Sequence, residues 1–299
     1  MGRAGVAWRR FILLGLILAG CAWTWRDALH LTLEEKEHFL KTAKIIRLKR
    51  LSEGITGSMR ATLTDGKITH DAHVQTIDEY KPVFTSTLGT EINFKDTYKG
   101  NIAAYRLAKL LGIAHMVPPS VYRKVQGNSA AVTWWVDNVL MTEKQRYFKK
   151  ITPPDSDVWN KQIYIVRVFD NLIYNTDRNL GNLLITNDWR IKMIDHTRAF
   201  RLYRKIKSPR DLVKCDRKLF EALKRLDEAT LMQELRPYLT KPEIRALLAR
   251  RDLIVEYFEK LIAEKGEDTV LYDYLSTLDA GGKPVQSPAE TSHAGPASQ

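Results

Sequence analysis

Asn175-Thr176-Asp177-Arg178-Asn179-Leu180-Gly181-Asn182, running into Leu183-Leu184-Ile185 and then Met193-Ile194-Asp195-His196, is the stretch on which the reading of the fold turns. It sets an Asp, an Asn five residues later and a second Asp beyond a short apolar hairpin. In phosphoryl transfer the protein mainly positions groups and neutralises charge on phosphoryl oxygens. A base for the acceptor hydroxyl must then lie beside carboxylate and amide ligands for Mg²⁺. An Asp and an Asn at this spacing also occur in ordinary polar turns, where they only close the chain. The flanks distinguish the two readings.

Upstream, Val158, Ile163, Ile165, Val166, Phe169, Leu172 and Ile173 form a broad helical stripe ending just before the loop. Downstream, residues 183–185 and 191–194 make a hairpin through Asn187-Asp188. Helical patterns resume at 211–226, 231–239 and 242–263. Before residue 142 the signals are those of strands and turns: Ala61-Thr62-Leu63, the Asp65-Gly66 turn, 73–77, 120–122 and 131–136, with one helix from 101 to 111 ending at Gly112. The chain therefore reads as α+β, with a linking helix within 24–50, a small β-rich lobe over 51–141, a larger helical lobe over 142–265, and an extension over 266–299. Residues 280–299, rich in Gly, Pro, Ser and Ala, read as a disordered tail.

The run from Phe169 through Asp177-Arg178 to Asn182-Leu183 resembles the catalytic loop of atypical kinases, among them phosphatidylinositol 3/4-kinases, HipA-type bacterial kinases and secretory-pathway kinases. Ile194-Asp195-His196-Thr197-Arg198-Ala199-Phe200 is similar to their metal-binding segment. The resemblance spans roughly residues 50–265, but about 30 residues carry it. It implies a two-lobed protein-kinase-like fold using ATP and Mg²⁺. Asp177 would orient or deprotonate the acceptor, Asn182 and Asp195 would hold the metal, and Arg178 would brace the loop or neutralise phosphate. Gly54-Ile55-Thr56-Gly57-Ser58 stands where a phosphate loop is expected, although its spacing is equally that of a hairpin turn. Gln75 and Asn101 occupy the places of the family's strand Lys and helix Glu. Lys81 and Lys95 are the nearby substitutes for the Lys, with Glu91 or Asp96 as partners. This departure leaves a non-catalytic pseudokinase scaffold open beside an active phosphotransferase.

Other candidates are weaker. His70 and His73 would point to opposite faces of a strand and read as surface histidines. His196 either touches the metal shell or bonds within its loop, and Trp134-Trp135 reads as core and interlobe packing. No Ser, Cys or Thr sits in a nucleophile elbow.

Arg3, Arg9 and Arg10 precede the apolar run 11–20, which is short for a membrane-spanning helix and reads as an export signal. Leu18-Ala19-Gly20-Cys21 resembles the lipobox of bacterial lipoproteins, with Cys21 as the lipidated residue; an uncleaved signal anchor is the alternative. Either reading tethers the protein to a membrane with its bulk outside the cytoplasm. The second cysteine, Cys215, then has no disulfide partner. The formal net charge of +12 favours anionic partners such as nucleotides, phosphorylated or acidic proteins and acidic membranes. Lys and Arg are scattered and no nucleic-acid-binding motif is present, so nucleic acid is not an expected partner.

Overall fold

A computed structural model describes residue 28 and residues 31–51, 57–86, 89–279 and 281–285. The apolar run, Cys21, Gly54 and most of the expected tail lie outside these residues.

The N-terminal half is built on a five-stranded antiparallel sheet in the order β1-β2-β3-β7-β6. Its strands are β1 (Lys44–Arg50), β2 (Met59–Thr64), β3 (Thr69–Gln75), β6 (Ser120–Val125) and β7 (Asn128–Trp134). Helix α1 (Leu33–Thr42), started by a Thr32/Glu35 capping box, packs on β6 and β7 and buries Phe39 and Leu40 against Leu63, Val74, Val132 and Trp134. The helix expected within 24–50 therefore ends at Thr42. Lys44-Ile45-Ile46-Arg47-Leu48 continues as an edge strand, because paired β-branched residues suit a half-buried pleat better than a helix. Strands β4 (Asp78–Ser86) and β5 (Gly89–Thr97) pair only with each other and form a separate ribbon.

Beyond residues 135–138 the chain enters the helical half. A three-stranded sheet, β10-β9-β8, uses Val139–Thr142, Leu183–Thr186 and Ile191–Met193 for β8, β9 and β10. Around it lie α3 (Glu143–Phe148), α4 (Ser156–Leu172), α5 (Arg217–Arg225), α6 (Glu228–Leu235), α7 (Lys241–Lys265) and α8 (Glu267–Val270). Strand β11 (Cys215–Asp216) pairs in parallel with β12 (Leu271–Tyr272). Asp216 caps α5 through the amides of Lys218 and Leu219, and its other oxygen accepts the amides of Tyr274 and Leu275 at 2.9 Å each. Cys215 is fully buried beside it, and burial together with the Asp216 charge pushes its thiol pKa well up. The first residues of the expected tail are ordered by a turn in which Leu278 bridges Pro284. The α+β architecture, β-rich first and helical second, is the one expected from the sequence.

Helix α2 (Lys99–Leu110) joins the halves. Tyr105 and Leu107 belong to the core of the helical half, whereas Tyr98 and Ile102 pack with Ala131 of the N-terminal sheet. At its start the backbone of 196–197 comes so close that a Cβ on Gly100 would sit 2.2 Å from the His196 carbonyl oxygen. Thr97 N–H donates to the Thr197 carbonyl at 3.0 Å, and Asn101 Oδ1 accepts the His196 N–H at 2.7 Å. Gly→Ala inside a helix ordinarily stabilises by up to about 1 kcal/mol. Gly100→Ala is expected to do the reverse, lowering stability by about 1–3 kcal/mol in chemical denaturation because a rigid carbonyl has to move.

Candidate active site

The loop after α4 is organised by one guanidinium. Arg178 donates Nε and Nη2 to the two carboxylate oxygens of Asp170 at 2.8 and 3.1 Å. Its Nη1 donates to the carbonyls of Asn182 and Ile194 at 3.0 and 2.8 Å, and Nη2 also meets His196 Nε2 at 3.0 Å. One side chain thus ties the helix end, the loop before β9 and the Asp195 segment together. Burial and this guanidinium hold the His196 pKa well below the ordinary imidazole value, so the ring is neutral, with Nε2 accepting from Arg178. Asn175, fully buried, accepts the Asp177 N–H at 3.0 Å, and Asn182 Nδ2 donates to the Asp177 carbonyl at 3.1 Å. That bond leaves the Asn182 Oδ1 available to the cavity. Asp195 adopts the left-handed region at φ 53°, with Oδ1 accepting the Thr197 hydroxyl at 3.0 Å.

Asp177, Asn182 and Asp195 all line one cavity of about 1410 Å³ between the five-stranded sheet and the β9–β10 hairpin. Ser58, His73 and Gln75 face it from above, Trp135 and Val136 from the crossover, and Lys81, Phe84 and Asp96 from the ribbon. Desolvation raises the pKa of Asp177, with the Asp195 charge adding to it and Arg198 opposing. Asp96 is raised chiefly by burial, and its Oδ1 is buried without a hydrogen-bond partner. Carboxylates desolvated against one another in this way suit a cation. Among the described residues no group of three or more His, Cys, Asp or Glu side chains could hold a metal.

The other expected site residues separate. Arg178 uses its N–H groups on the loop and does not line the cavity, so of its two expected roles the geometry gives it the bracing one. Gly57, at φ 68°, precedes β2 without lining the cavity; Ser58 lines it and accepts from Gln75 Nε2 at 3.2 Å. Lys81 lies at the cavity with Nζ 2.9 Å from Glu79 and over the rings of Phe84 and Phe94.

Lys95 does not line the cavity. Its Nζ lies 2.5 Å from Glu243 at the start of α7, and both side chains are buried away from the cavity. Glu91 is not a lysine partner either: it pairs with Arg198 and Arg201, and Arg201 also donates to the carbonyls of Asn93 and Lys95. Asn101 holds the backbone beside Asp195 instead of a lysine. The two histidines do face opposite sides of β3, yet neither is an ordinary surface group. His70 is buried, stacked on Trp134 at 3.7 Å and paired with Asp137, whereas His73 faces the cavity, its pKa lowered by burial. Arg198 lines the cavity and was not foreseen as a site residue, since its neighbours Glu91 and Asp96 lie about a hundred residues away in sequence.

Two expectations follow. Lys95→Met should strand a buried carboxylate and lower stability by about 3–5 kcal/mol while leaving any nucleotide binding unchanged; binding lost in folded protein would return Lys95 to the site. Because the folded-state pKa values of Asp177 and Asp96 are raised, their unfavourable contribution is absent below the unfolded value and fully present above the folded one. A divalent cation held beside them would offset it, so any Mg²⁺-induced rise in melting temperature should shrink as pH falls through the carboxylate range. A rise independent of pH would contradict a cation site next to these carboxylates.

No family model matches the chain, and no curated protein matches it. Among solved structures, the chain is similar to the Helicobacter pylori proinflammatory kinase CtkA, with a TM-score of 0.48 and 12% identity over 76% of this chain and 98% of that one.

Proposed function

We propose that the chain is a kinase-type phosphotransferase that binds a nucleoside triphosphate, with ATP as the expected donor, in the cavity between its halves. The observation that carries this reading is the convergence of Asp177, Asn182 and Asp195 on that one cavity, with Arg178 holding their two loops in register. Asn182 and Asp195 would hold Mg²⁺, which supplies charge neutralisation at the phosphoryl oxygens. Asp177 orients the acceptor hydroxyl and takes its proton as the new O–P bond forms and the bond to the leaving diphosphate breaks. Lys81 and Arg198 are the Lys and Arg side chains among the described residues that line the cavity, and they take the place of the absent strand lysine at the phosphates. The acceptor is a hydroxyl of a protein, a lipid headgroup or a small molecule.

Gln75 favours a second reading. It faces the cavity where a cation would otherwise meet the phosphates, which suits a scaffold that binds nucleotide weakly or not at all. The N-terminal pattern supports membrane tethering outside the cytoplasm, where nucleotide is scarce, and palmitate labelling of Cys21 tests it. Among the described residues no helix is long and apolar enough to cross a membrane.

Asp195→Ala is expected to abolish Mg²⁺-dependent nucleotide binding in calorimetry. Asp177→Ala is expected to retain binding and lose any transfer by about 10²–10⁴-fold, the usual contribution of a general base. Folded, unmodified protein with no nucleotide affinity would establish the scaffold reading instead.

A further inference from the structure

The segment from β8 through α3 presents an unusual surface. Tyr147 and Phe148 are 62% and 71% exposed, with their rings edge to face at 5.8 Å. Leu140 on β8 and Leu180 on the catalytic-type loop are also exposed, and α3 packs against both of those elements. Lys144, Lys149 and Lys150 flank the rings in sequence and are exposed. Over residues 138–154 the only acid is Glu143, which is buried and held by Arg146 through two hydrogen bonds of 2.6 and 2.8 Å. Within this stretch the exposed charged side chains are the three lysines, with exposed Asp155 and Asp157 following at the start of α4.

From this juxtaposition of outward aromatic rings and unneutralised lysines we infer that the α3 face docks on an anionic lipid bilayer. Aromatic side chains settle at headgroup depth, and lysines beside them are drawn to acidic lipid. A peptide partner would be expected to anchor in a groove. Neither ring lines the cavity between the halves or the smaller one beside Asp170 and Arg178, and both are exposed. Because Leu180 lies on this face three residues after Asp177, docking brings the catalytic-type loop to the lipid surface. The inference concerns the surface alone and does not depend on the phosphotransfer reading.

The test uses the full chain on phosphatidylcholine vesicles, with and without phosphatidylglycerol, so that any N-terminal tether acts in both. Hydroxyl-radical footprinting reads oxidation of Tyr147 and Phe148. Oxidation should fall on the acidic vesicles only and recover at high salt. Lys149→Glu with Lys150→Glu should restore it, and each lysine removed should weaken partitioning of the docked state about fivefold. Phe148→Ser should lose docking with nucleotide affinity unchanged, which separates this result from the fate of the kinase reading. Equal oxidation on both vesicle types would overturn the inference. So would protection by a soluble acidic, apolar peptide without protection by acidic lipid, which would assign the face to a protein partner.

Discussion

The Arg178 guanidinium is the constraint on which the rest of the site depends. A planar group with five donors, largely removed from water, has to satisfy all of them or bear a heavy desolvation cost. Its partners are the Asp170 carboxylate, two backbone carbonyls and the neutral His196 ring. These belong to the end of α4, the loop before β9 and the segment after β10. Moving any one of the three strips partners from the same cation, so the spacing between Asp177, Asn182 and Asp195 is held collectively.

A second set of contacts fixes that loop against the N-terminal half. Here Gly100 lets the start of α2 touch the His196 carbonyl, Asn101 takes the adjoining amide, and Glu91 holds Arg198 and Arg201. The buried Lys95–Glu243 pair then fastens the β4–β5 ribbon to α7. A buried ion pair contributes little net stability, but it penalises every arrangement that separates its members. The halves are coupled through the start of α2 and through the ribbon.

The legible parts of this protein are those written locally. Asp177, Asn182 and Asp195 sit within twenty residues, and the apolar stripe of 158–173 and the hairpin after the loop identify their setting before any tertiary contact is known. The strand and helix order of the two halves was readable for the same reason. Local pattern also misled: Lys44 to Arg50 looks helical until β2 pairs with it. Lys95 looked like a nucleotide ligand because its true partner, Glu243, is 148 residues away. Gly100 carried no mark distinguishing a close backbone approach from an ordinary small residue. Arg178 offered two roles, and only the positions of three separate carbonyl and carboxylate groups decide between them.

The burial of Cys215 has a practical side. A thiol reacts as its thiolate, and a low-dielectric pocket beside the Asp216 carboxylate suppresses that form. In the native protein a maleimide therefore has one other cysteine to report on, Cys21. A free Cys21 thiol would take up label and a lipidated one would not, so the buried Cys215 supplies a silent background for that test.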